Sequence, residues 1–192
     1  MKNSNEIKKM MLLGVLGALV ACLQMIKIPL GTFSITLALI PIVIGSIIAG
    51  PKGGAFLGLI MAIVVLFVDA SFFYALNPAG TIITVIVKSV VAGVVCAIVY
   101  KTVSKKNSTL GIISASLITP IVNTGIFILG CMTFFYPNII EMSGGSNALT
   151  FTLVTFVGLN FFVELGINII LIPTLIYIIN TVAKNFNLNT IK

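Results

Sequence analysis

Two residues of this 192-residue chain carry formal charge inside long apolar runs: Lys88 in 81-TIITVIVKSVVAGVVCAIVY-100, and Glu164 in 160-NFFVELGIN-168. If those runs cross a bilayer, each such charge costs at least about 2.5–3.5 kcal/mol, turns to the bundle interior and takes a partner there. Their neighbours recur at helical spacing. Thr81, Thr84 and Lys88 share one helical face, as do Asn160, Glu164 and Asn168 at four-residue steps. Thr119, Asn123 and Phe127 repeat the pattern in 119-TPIVNTGIF-127, beside Pro120. An amide in lipid is costly unless hydrogen-bonded, so the three stripes are expected to face one another. A cation, an anion, amides and hydroxyls gathered in this way can hold a small, polar, hydrogen-bonding solute. Lys88 would meet an anion or carbonyl of the ligand, while Glu164 would orient it or bind a donor. The competing reading is a Lys88–Glu164 ion pair that locks two helices, with the asparagines as interhelical glue.

The elements that must position these groups follow from composition. The chain is 59% hydrophobic and 8% charged, against roughly 25% charged in soluble domains. Six apolar segments emerge, at about 9–26, 34–50, 53–68, 79–100, 110–135 and 151–180. None alternates as barrel strands do, and a lone span in lipid must satisfy its own backbone, so all six are read as helices. The expected fold is an all-α integral membrane protein, a single six-helix domain over 1–192. The second and third segments are short and separated only by 50-GPKGG-54, which predicts a tight helical hairpin. Pro41, Pro120 and Pro173 interrupt apolar runs and are expected to kink them.

With six spans both termini share a side. That side holds Lys2, Lys8, Lys9, Lys52, Lys101, Lys105, Lys106, Lys184 and Lys192, while the other holds only Lys27 with Asp69 and Glu141. Nine lysines against one place the termini in the cytoplasm. The same distribution, in short clusters between apolar runs, sets nucleic-acid binding aside despite a formal charge of +7. Lys8 and Lys9 before an apolar run resemble a signal peptide, and 19-LVAC-22 resembles a lipoprotein cleavage box. The further spans that follow favour an uncleaved first helix. Of the outer connections, 136-YPNIIEMSGGSNALT-150 is long enough for a lid. Phe72, Phe73 and Tyr74 in the middle connection read as an interfacial belt or as part of that lid.

Cys22, Cys96 and Cys131 have no metal-ligand spacing and read as small buried hydrophobes. Histidine is absent, which excludes a histidine general base, a Ser-His-Asp triad and the histidine-containing zinc sites. No metal or other cofactor is expected. Gly14, Gly17, Ala18 and Ala21 make a nearly flat face on the first span, suited to close approach of another helix, in this chain or in a partner subunit.

The chain resembles the S components, the substrate-binding subunits, of energy-coupling factor (ECF) vitamin transporters. The likeness runs through 36-TLALIPIVIGSIIAGPKGGAFLGLIMAI-63, 120-PIVNTGIFILG-130 and 160-NFFVELGIN-168, and covers nearly the whole sequence. It implies a non-enzymatic subunit in a bacterial cell membrane that captures a water-soluble vitamin in a pocket near the outer face, lined by spans four to six. It also implies partners: a transmembrane scaffold subunit coupled to two ATP-binding subunits, on which the S component docks and topples to release its cargo. Gly14, Ala18 and Ala21 match the docking face. The sequence has no GxxxxGK[ST] phosphate loop, in keeping with ATP being handled elsewhere. A midplane lysine amid amides and hydroxyls suits a compact hydroxylated anion such as pantothenate, with riboflavin, folate or another precursor left open. Other classes compete, among them a purely structural partner subunit, which would bind no small molecule. A stand-alone secondary transporter would need inverted repeats and coupling-ion sites, and no half of the chain visibly repeats the other. An intramembrane enzyme would need more than the lone carboxylate of Glu164.

Overall fold

The computed structural model describes residues 2–26, 28–30, 33–35, 37–144 and 147–185, with side chains placed throughout except at 2–4, 28–30, 33–35, 159–160 and 185. Helices dominate. α1 (Lys2–Met25) leads into a two-stranded antiparallel hairpin, β1 (Ile28–Leu30) and β2 (Phe33–Ile35), in which Ile28 pairs with Ile35 and Leu30 with Phe33. Then come α2 (Leu39–Val68), the short α3 (Ser71–Leu76), α4 (Pro78–Val103), α5 (Ser108–Phe134), α6 (Tyr136–Met142) and α7 (Ala148–Phe151). A π-helical turn at Thr152–Val157 feeds α8 (Gly158–Asn185).

Among the described residues, four helices are long and apolar enough to cross a membrane: Leu39–Val68, Pro78–Val103, Ser108–Phe134 and Phe161–Lys184. Their outer faces are apolar too. Phe67 is 87% exposed, Ile170 76% and Leu129 64%, an arrangement that water would penalise and lipid does not.

α2 is not one straight rod. Gly50 has φ 73° and ψ −166°, a left-handed backbone that glycine adopts without strain, and Pro51 opens the next turn with its fixed φ. Residues 46 and 54 would stand about 12 Å apart along a continuous helix, yet Ser46 Oγ lies 2.6 Å from where a Cβ on Gly54 would be. The chain therefore doubles back at 50-GPKGG-54, as the sequence predicts. The boundary before it differs from the expected one. The second apolar run was expected to be helical from 34, but 33–35 are strand and the helix begins at Leu39. Pro41 accordingly sits in the first helical turn, where its missing N–H has no intrahelical acceptor to lose, and starts α2 instead of kinking it.

Glycines set the helix spacing around the site. A Cβ on Gly54 would meet the Gly93 carbonyl, and one on Gly58 the Ser89 carbonyl, so the second half of α2 and α4 touch backbone to backbone. Gly130 likewise admits the Thr84 side chain, joining α5 to α4. Asn77 fixes the start of α4: its Oδ1 accepts from Gly80 N (2.9 Å), Pro78 takes the first turn, and its Nδ2 donates to Phe134 O on α5 (3.3 Å). One apolar core joins α1, α2, α4, α5 and α8, with Ile42, Leu57, Ile112 and Ile179 fully buried. A second, aromatic core gathers at the end of the bundle carrying α3, α6, α7 and the π turn.

Candidate functional site

Beneath that aromatic core lies a cavity of about 350 Å³, walled by α1, α2, α3, α4, α5, the π turn and α8. Such a volume falls at the compact end of small-molecule sites. Thr81, Thr84 and Lys88 reach it from α4, Asn123 and Phe127 from α5, and Glu164 from α8. Antiparallel packing explains the convergence. Lys88 stands ten residues past the start of α4 and Asn123 eleven before the end of α5, each about 15–17 Å from the same end of the bundle.

The Lys88 ammonium stands 5.5 Å from the centroid of the Phe127 ring, in cation–π geometry. The Glu164 and Asp69 side chains line the same cavity as Lys88. Thr81 donates its hydroxyl to Asn77 O (2.8 Å), which leaves its lone pairs to the cavity. Thr84 Oγ1 and Asn123 Oδ1 are buried at the wall with no hydrogen-bond partner. A buried orphan acceptor costs about 1–3 kcal/mol, which a ligand that donates to it would offset.

The expected cluster is thus largely assembled, with two exceptions. Asn168 does not line the cavity: it lies one turn farther along α8, buried, and its Nδ2 donates to Glu164 O (2.9 Å). Four-residue spacing puts Asn168 on the right face but too far along the axis, where its own helix backbone takes the amide. The side chain of Asn160 lies outside the described residues.

The structure also brings in groups that the stripe pattern did not single out. Asp69 caps the end of α2 and its Oδ2 accepts from Gln24 Nε2 at 2.7 Å, so α1 contributes to the site. Gln24 is a lone polar residue near the end of an apolar span, the signal that could have flagged it. Phe72 and Phe73, read from sequence as belt or lid, belong to the roof. Phe73 is buried and makes edge-to-face contacts with Phe72, Phe127, Phe135 and Phe156, centroids 5.0–5.8 Å apart. The long connection expected as a mobile lid forms α6, whose Ile139 is fully buried beside Phe135. The π turn places Phe156 over the cavity, and π geometry recurs at functional sites.

The proposed docking face divides. Gly14 has open space where a side chain would stand and Ala18 is exposed, whereas Ala21 is half-buried. Gly17 points inward, where a Cβ would press on Ile60 and Leu57 of α2. Among the described residues no group of three metal-ligating side chains occurs.

The family model for the substrate-specific component of ECF transporters matches residues 8–176. The chain belongs to that family. No curated protein and no solved structure matches it. As an ECF S component it is a substrate-binding subunit of a transporter, from a family of transport proteins and not of enzymes, and a multi-pass membrane protein. Family membership carries with it a substrate and a partnership with an ECF module of scaffold and ATP-binding subunits. The cavity just described is the S component's candidate binding site.

Proposed function

We propose that this S component captures a small water-soluble vitamin or vitamin precursor from outside the cell and hands it to an ATP-driven ECF module. The observation that carries the reading is the roofed cavity. It is lined by an ammonium and two carboxylates, with two unpartnered polar atoms buried in its wall residues, beneath phenylalanines packed edge to face, in a chain of this family. Thr81, Thr84, Lys88, Asn123, Phe127 and Glu164 are its binding residues, with Asn160 assigned from its place in the Glu164 stripe and Asn168 as a support for the Glu164 turn. The proposed topology is six spans with cytoplasmic termini in a bacterial cell membrane. The reversal at Gly50 supports two short spans within 39–68, and the lysine distribution supports the orientation. Gly14 and Ala18, with Ala21 at their edge, form the face that docks on the scaffold, which is coupled to two ATP-binding subunits.

Pantothenate is the candidate that Lys88 alone favours; Asp69, the second carboxylate at the wall, weighs against it. Native mass spectrometry of the purified protein tests the reading through the mass of any retained solute, together with uptake into vesicles. A bound vitamin, and uptake only when the scaffold, the ATP-binding subunits and ATP are present, are the expected results. Uptake by the S component alone on an ion gradient would replace this reading with a stand-alone secondary transporter.

A further inference from the structure

Resting on the vitamin-capture reading, we infer that the cavity selects a flat, nitrogen-bearing ring that carries N–H donors and no net negative charge, over an aliphatic or aromatic carboxylate. The described lining holds two carboxylates, Asp69 and Glu164, against one ammonium, Lys88. An anionic solute would enter a space already formally negative, where like charges are poorly screened. A neutral or cationic solute relieves that imbalance.

The hydrogen-bonding groups point the same way. Asn123 Oδ1 is an acceptor only, and it is buried without a partner; Thr84 Oγ1, packed against Gly130, is also unpartnered. Carboxylates accept only. Lys88, standing over the Phe127 ring, is the cationic donor of the lining and can donate to a ring nitrogen or carbonyl. The remaining wall is aromatic. Phe72, Phe73, Phe127, Phe156 and Phe161 offer faces and edges to a planar solute, and a cavity of about 350 Å³ limits it to a compact one. Aromatic walls, two carboxylates and one ammonium suit an amino- or amide-substituted heteroaromatic ring.

The test compares matched probes on the full-length protein in detergent by equilibrium binding. Nicotinamide and nicotinate differ only in an amide for a carboxylate. Pyridoxamine and thiamine are amino-bearing cationic rings, and pantothenate is an aliphatic anion. The expected result is that nicotinamide binds at least about tenfold more tightly than nicotinate, and the two amino-bearing rings at least about tenfold more tightly than pantothenate. Asp69→Asn and Glu164→Gln should each narrow the nicotinamide-to-nicotinate ratio severalfold. That ratio reads only folded, binding-competent protein, so a poorly folding variant does not distort it. Tighter binding of nicotinate or pantothenate overturns the inference while leaving vitamin capture standing, as does a ratio that neither substitution moves. Binding of none of the five at millimolar concentration overturns the inference, while vitamin capture stands or falls on the solute retained on purification.

Discussion

Asn123→Leu separates a binding group from a structural one, because the two roles predict opposite signs of stability change. The substitution keeps the number of side-chain heavy atoms and removes the amide. In the empty protein Asn123 Oδ1 is buried without a partner, a cost of about 1–3 kcal/mol that leucine abolishes. Free of that cost, the empty variant should melt higher by roughly 2–4 °C per kcal/mol gained, a scale taken from domains of 150–250 residues. Binding should move the other way. Losing one neutral hydrogen bond to the ligand removes about 0.5–1.5 kcal/mol, or about 2- to 12-fold in Kd. If the donor is charged, the loss rises to about 1.5–3 kcal/mol, at least about tenfold. The assay is thermal unfolding of ligand-free protein in detergent, paired with equilibrium binding of the solute retained on purification. A lower melting temperature in the empty variant with unchanged affinity would refute the argument, since Asn123 would then be interhelical glue.

Lys88→Ala and Asn160→Ala should each weaken solute binding at least about tenfold, or about 1.4 kcal/mol, while the protein still inserts; equilibrium binding with both affinities unchanged would remove the site assignment. Gly93→Ala should lower stability by about 1–3 kcal/mol, seen as a lower melting temperature, because its Cβ would meet the Gly54 carbonyl and only a shift of a whole helix can make room. Phe73→Ala should cost about 3–5 kcal/mol of stability and speed solute release, measured by stopped-flow dissociation, since four other rings pack on Phe73 in the roof. Ala18→Phe should leave solute binding intact and reduce co-purification with the ECF scaffold; a normal complex yield would return that face to lipid.

The Lys88, Asn123 and Glu164 stripes were legible because a charge or amide among valines, isoleucines and phenylalanines has few affordable places in a membrane, and helical periodicity fixes its face. The reversal at 50-GPKGG-54 was equally legible, since a glycine beside a proline states its backbone preference locally. Family resemblance was in the sequence too, spread over nearly the whole chain. Three-dimensional packing decided what periodicity cannot encode. Asn168 shares Glu164's face yet falls below the cavity, because a face says nothing about depth relative to other helices. Gln24 and Asp69 are 45 residues apart and join only because α1 packs against α2. Residues 34 and 35 open an apolar run that reads as helix, yet with 33 they pair with 28–30, a contact between strands that no local pattern announces. Phe72 and Phe73 could have faced lipid or ligand, and only the approach of α5 and the π turn turned Phe73 inward. Local chemistry set which groups must be buried; the meeting of distant helices set what they are buried against.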